Sequence, residues 1–158
     1  RNVRLNGLSG TVRAFPLALS DSARLDTLRL SAIEAGAALH AFGRDTDFKS
    51  EHFKAVFQQG CLAVTLDHVV FDLGLEPPTH IKIDVDGFEP KVIAGARKTL
   101  ARPEMQSLLI ETNQNLADHM EMVRELNSMG FMHDTAQVQR AERKQGPFKG
   151  VAEHVFRR

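Results

Sequence analysis

At 158 residues, 42% of them hydrophobic, the chain is long enough for one domain with its own core. Its 20 basic and 20 acidic residues cancel, and it has no Tyr or Trp, so no broad field or stacking platform points to nucleic acid or an anionic membrane. The lone cysteine, Cys61, cannot close an internal disulfide, which leads us to expect a reducing, cytoplasmic setting. It opens an apolar stretch at 61–64 and reads as a buried structural thiol. No apolar run reaches the length of a membrane span, and no signal-peptide pattern opens the chain.

An apolar strand follows the first residue, Arg1, almost at once, so upstream sequence is expected to precede it. Residues 17–20 and 25–30 read as two strands joined by the turn-like Ser20-Asp21-Ser22, with Pro16 marking the first as an edge strand or a late entrant. Residues 31–48 are Ala- and Gly-rich without a steady period and read as loop, with His40 a surface or half-packed imidazole. Phe53, Val56 and Phe57 share one side of a possible helix at 50–59, a loop anchored by phenylalanines being the close alternative. A short strand is expected at 62–65. Asp67 then looks like the N-cap of a helix carrying Val69, Val70 and Leu73, closed by Gly74.

The centre of the chain is its most informative stretch. Ile81, Ile83 and Val85 alternate with Lys82, Asp84 and Asp86, the period of a strand. Gly87 breaks it, and Glu89-Pro90 opens a helix continued by Val92, Ile93, Ala96 and Leu100. The next strand, 107–112, holds the continuous run Leu108-Leu109-Ile110, as in a buried parallel sheet. A Lys and two Asp beside such a strand are costly unless paired or employed, and the carboxyl ends of parallel strands face the ligand crevice of open α/β sheets. Glu111 lies level with the aspartates if the two strands are parallel neighbours. As a plainer alternative, these charges form a solvated face and Asp86-Gly87 an ordinary turn.

Further on, Leu116, Met120, Val123 and Leu126 to Met129 give an amphipathic helix closed by Gly130. A strand is expected within 131–135, a polar, basic and flexible segment over 137–150, and a final strand over 151–156 with Ala152, His154 and Phe156 on one face. Strands alternating with helices in the second half give an α/β class.

No Cys/His pair has zinc spacing, and G-x-S-x-G and phosphate-loop patterns are absent. Asp84-Val85-Asp86-Gly87 is not an EF-hand loop, because its Gly falls too early. It is similar to the D-x-D-G start of haloacid-dehalogenase-type phosphatases, in which Asp84 would be nucleophile and Asp86 general acid/base. That motif normally lies near the amino end and is completed by a downstream acidic pair, which this chain lacks.

A closer similarity joins three stretches. Residues 78–89 with Val92-Ile93-Ala94-Gly95-Ala96 resemble the K-I-D-V-(E/D)-G-x-E…V-L-x-G-A core of the FkbM-type methyltransferases, which use S-adenosylmethionine. Leu108-Leu109-Ile110-Glu111 and the Gly130-Phe131 helix end resemble the strand and helix that follow it. Leu17-Ala18-Leu19-Ser20-Asp21 is similar to the family's A-L-S-D segment, with Thr65-Leu66-Asp67 upstream of the core. The resemblance implies a Rossmann-like class I methyltransferase sheet in a single partial domain. The family's first two strands, with their D-x-G-x-x-x-G loop and ribose-binding acid, are absent, and would lie between strands 14–20 and 81–85.

The activity implied is O-methylation of a hydroxyl on a small molecule, sugar or lipid, with S-adenosylmethionine as cofactor. Asp84 and Asp86 are the expected base or hydroxyl orienter, and Lys82 the partner that keeps an aspartate charged. Leu19 and Ser20 would lie near the adenine. Glu89 would cap its helix or touch substrate, and Glu111 would line the same crevice or sit as a strand-end surface carboxylate. No metal is assigned. The competing readings are the phosphatase and a non-catalytic remnant.

Overall fold

A computed structural model describes residues 1–31, 41–43 and 55–158. Its strands fall into two four-stranded sheets. The first comprises β1 (Ala18–Leu19), β2 (Arg24–Leu30), β3 (Ala41–Phe42) and β4 (Phe57–Val64), in the order β1-β4-β2-β3. β1 runs parallel to β4, whereas β2 is antiparallel to β3 and β4. The second comprises β5 (His80–Ile83), β6 (Ser107–Asn113), β7 (Met132–His133) and β8 (Val151–Arg157), in the order β5-β6-β8-β7. β5 and β6 are parallel; β8 is antiparallel to β6 and β7. The mixed α/β class is as expected, but these strands form two sheets rather than one, because β1 and β5 each have a single strand neighbour among the described residues.

The helices are α1 (Asn2–Leu5), α2 (Leu66–Phe71), α3 (Glu89–Ala94), α4 (Arg97–Leu100), α5 (Ala117–Ser128) and α6 (Thr135–Ala141). Several differ from the sequence expectation. The helix expected at 50–59 is overturned where it is described: Phe57 to Gln59 belong to β4, paired residue by residue with β2 as far as Leu30. Residues 50–54, most of the loop expected at 31–48, and His40 lie outside the described residues. Asp67 does not cap α2. Thr65 does, its hydroxyl accepting from the His68 amide at 3.0 Å. The helix expected to run from Glu89 to Leu100 breaks at Gly95 and Ala96 into α3 and α4. Part of the segment expected to be flexible is α6, capped by the Asp134 side chain and burying Val138. Cys61 is half-buried rather than sealed in the core.

The main core forms where α2 to α5 cover the second sheet. Ile83, Leu108, Ile110 and Phe156 from the strands meet Val92, Ile93, Leu100, Met122, Val123 and Leu126 from the helices, all nearly inaccessible. At roughly 1.5–3 kcal/mol for each large apolar side chain buried, this cluster supplies most of the driving force holding the strand ends in place.

One seam joins the sheets. A Cβ at Gly95 would lie 2.0 Å from the Ser20 carbonyl oxygen, so only glycine allows α3 to end against the first sheet. Asp67, just after β4, donates its backbone N–H to the Gly95 carbonyl at 3.0 Å. Its carboxylate accepts from the Lys98 and Thr99 amides and from the Thr99 hydroxyl at 2.8–3.0 Å, holding the start of α4. Replacing Gly95 with Ala therefore forces a backbone shift, and we expect it to lower the unfolding free energy by about 1–3 kcal/mol in urea denaturation.

At the far edge, His154 is 2% exposed and stacks on His133 with ring centroids 5.0 Å apart. Burial, and secondarily the charge of His133, push its pKa from 6.5 down to about 4. The folded chain thus keeps this imidazole neutral at pH values where the unfolded chain protonates it. Its contribution to stability is complete above pH 6.5 and is lost as pH falls to about 4. The loss is on the order of 3 kcal/mol at about 1.4 kcal/mol per pKa unit. Urea midpoints measured across that window should fall less steeply for His154→Phe than for the parent chain; equal slopes would refute the assignment.

Candidate functional site at the strand ends

Parallel pairing of Ile83 with Ile110 sets the site, because it brings the residues that follow β5 alongside Glu111 of β6. Lys82 and Asp84 form an ion pair at 3.1 Å. Hydrogen bonding to Asp84 raises the Lys82 pKa, so the ammonium is kept. Both side chains are about half exposed, 57% and 49%, and not buried as the neighbouring apolar strand led us to expect. The reason is positional: β5 is an edge strand here, with β6 its one neighbour among the described residues. An exposed pair of this kind adds little to stability.

Asp86 takes a left-handed backbone, φ 53°, unusual for a residue with a side chain. Glu89 holds it there. Its Oε1 accepts from the Val85 amide at 3.1 Å and from the Gly87 amide at 3.3 Å, bracketing Asp86. Glu89 is only 1% exposed, and burial raises its pKa against the opposing pull of those amides. These two amides lie outside α3, whose N-cap Phe88 makes no side-chain capping bond, so Glu89 braces the turn before its helix instead of capping the helix as expected. Sequence reasoning missed its neighbour His119, whose Nε2 lies 3.7 Å from Glu89 Oε2. A usable signal was present: His119 shares the apolar face of α5 with Leu116, Met120 and Val123.

Glu111 is partly covered and pairs with Arg143 at 3.2 Å. Burial raises its pKa and Arg143 opposes the rise. It borders a small cavity of about 20 Å³ with Asp86, Glu89, Asn113 and His119. Among the described residues, no group of three or more His, Cys, Asp or Glu is arranged to hold a metal ion.

The larger space is an apolar cleft of about 370 Å³ between β1 and β5, within the size range of ligand pockets. Leu17, Ala18 and Leu19 form one wall, Ile81, Ile83 and Val92 the other, and Lys82 and Asp86 also line it. Leu19 therefore lines the cleft. Ser20 does not: it is fully buried, its hydroxyl donating to Asp21 at 3.0 Å and accepting from Arg24 at 3.0 Å. Asp21 in turn accepts from Lys91 of α3 at 2.7 Å, which holds its carboxyl well below the usual range.

A protein-family model described as the methyltransferase FkbM domain matches residues 11–132. The chain belongs to the FkbM methyltransferase family. The match runs from before β1 to the first residue of β7 and includes the cleft, the Asp84–Gly87 turn and Glu111. Comparison with curated proteins and with solved structures gives no match. Membership implies a methyltransferase of the class I fold, whose α/β character the two sheets share. No helix among the described residues is long and apolar enough to cross a membrane.

Substitutions at this FkbM turn should separate strain from chemistry. Asp86→Gly relieves the left-handed backbone and is expected to leave stability unchanged or raise it by up to about 1 kcal/mol. Glu89→Ala leaves the Val85 and Gly87 amides without their acceptor and should cost about 1–3 kcal/mol. Thermal unfolding of both variants checks the opposite signs.

Proposed function

We propose that this FkbM methyltransferase moves a methyl group from S-adenosylmethionine to a hydroxyl oxygen of a small molecule, sugar or lipid. The observation that carries the reading is the position of Asp86 at the mouth of an apolar cleft, where Lys82 also lies. When bound, S-adenosylmethionine supplies an electrophilic methyl carbon on a sulfonium sulfur.

The cleft suits such a group. Its apolar walls accept a flat heterocycle, and Leu19 is placed to pack against it; buried Ser20 supports that wall from behind. The carboxylate of Asp86 complements a cationic centre. Asp84, ion-paired with Lys82, is the residue we assign to orient the acceptor hydroxyl and take its proton, with Asp86 the alternative base. Glu111, tied to Arg143, lines the acceptor side as a substrate contact. In-line transfer then needs the hydroxyl oxygen brought close to the methyl carbon, opposite the departing sulfur.

Among the described residues no further strand pairs with the outer edges of β1 and β5, and residues of both line this cleft. Unpaired backbone edges beside apolar walls favour pairing with further strands. The proposal therefore includes two such strands between them in the working enzyme, bringing the D-x-G-x-x-x-G loop that the family resemblance implies.

Isothermal titration with S-adenosylmethionine tests both parts, on this chain and on a form extended upstream. Binding by the extended form alone is the expected result. Binding by this chain alone would remove the added strands and leave the cofactor, and binding by neither would overturn the cofactor assignment. In a binding-competent form, Asp84→Asn should leave cofactor affinity within about threefold while reducing turnover by 10²-fold or more, the usual scale for losing a general base.

A further inference from the structure

Two buried side chains and a backbone amide connect the carboxyl ends of β5 and β6. Asn113, the last residue of β6, donates its backbone N–H to His119 Nδ1 at 3.2 Å. An imidazole nitrogen that accepts a hydrogen bond carries no proton, so the neutral ring has its proton on Nε2. That nitrogen faces Glu89 Oε2 at 3.7 Å. The other oxygen of the same carboxylate brackets Asp86 through the Val85 and Gly87 amides. Both side chains are nearly sealed, at 2% for His119 and 1% for Glu89.

We propose that His119 is a positioning residue, acting through Glu89 to hold the left-handed Asp86 turn at the mouth of the cleft. Glu89 alone could rotate about its terminal torsion. With Nε2 3.7 Å from Oε2, beyond hydrogen-bond length but close enough for electrostatic attraction, the rotamer that keeps Oε1 on the two amides is favoured. The Asn113 amide fixes the ring in turn, so the geometry of the β5 turn is referenced to β6, the adjacent parallel strand. A protonated His119 would set Nδ1–H against the Asn113 N–H, two donors facing each other. The arrangement therefore works with a neutral imidazole beside a carboxylate. The role in catalysis rests on the methyl-transfer reading; the role in shaping the turn does not.

The test separates the two. In the parent chain, nitrogen-15 NMR at neutral pH should find His119 as one neutral tautomer, protonated on Nε2 and bare on Nδ1. Finding Nδ1 protonated would overturn the proposal without any variant. His119→Gln offers an N–H donor near the position of Nε2, and His119→Leu removes it at similar bulk. The Gln variant should keep the Val85 and Gly87 amide resonances and the coupling constant that reports the positive φ of Asp86. The Leu variant should shift both amides and change that coupling while the resonances of β8 stay in place. Unchanged amides and coupling in the Leu variant would sink the idea, as would equal disturbance of β8.

Titration of S-adenosylmethionine into the binding-competent form adds the functional arm. Affinity should fall tenfold or more for Leu and stay within about threefold for Gln. If the parent form binds no S-adenosylmethionine, the methyltransferase reading fails while the NMR result still decides the positioning role.

Discussion

The buried carboxylate of Glu89 is the constraint on which the rest of the site depends. A strand that ends in Asp-Val-Asp-Gly has several ways to turn, and most would carry Asp86 away from the crevice. Two backbone amides converging on Glu89 Oε1 select one of them and keep Asp86 in a conformation that sterics disfavour. That choice is stable because α3 starts at Glu89 itself and buries Val92 and Ile93 in the main core. Core packing thus holds the helix, the helix holds the carboxylate, and the carboxylate holds the turn.

The same hierarchy explains why the charged residues divide into two kinds. Glu89 and His119 lie inside, where a misplaced charge is expensive, and each has specific buried neighbours. Lys82 and Asp84 lie about half exposed at a strand that is an edge among the described residues, where water shares their interaction. The inner pair sets geometry; the outer pair is accessible to a ligand. Glu111 is intermediate, half-covered and balanced by Arg143 from the segment after α6.

Much of this was legible in the sequence. The alternation over Ile81, Ile83 and Val85, the break at Gly87 and the apolar run of β6 carried the strand, the turn and the parallel pairing, because backbone period and turn chemistry are local. What was not legible depended on distant partners. Phe57 sits at helical spacing from Phe53 and Val56, yet Phe57 to Gln59 pair with β2 some thirty residues away, and that pairing decides. Asp67 has the look of a cap, but its carboxylate serves α4, out of reach of any local rule. Ser20 matched a family segment, but only the folded chain shows it buried, with Gly95 against its carbonyl and Asp21 and Arg24 bonded to its hydroxyl.

The seam between the sheets has a mechanical meaning. Gly95 against Ser20, Asp67 against α4 and Lys91 against Asp21 all stitch the same side of the molecule, as a spine joins the two covers of a book. The apolar cleft is the opening between the covers. A ligand that fills it meets side chains of both sheets at once, so the two walls are bridged on one side by the seam and on the other by what binds.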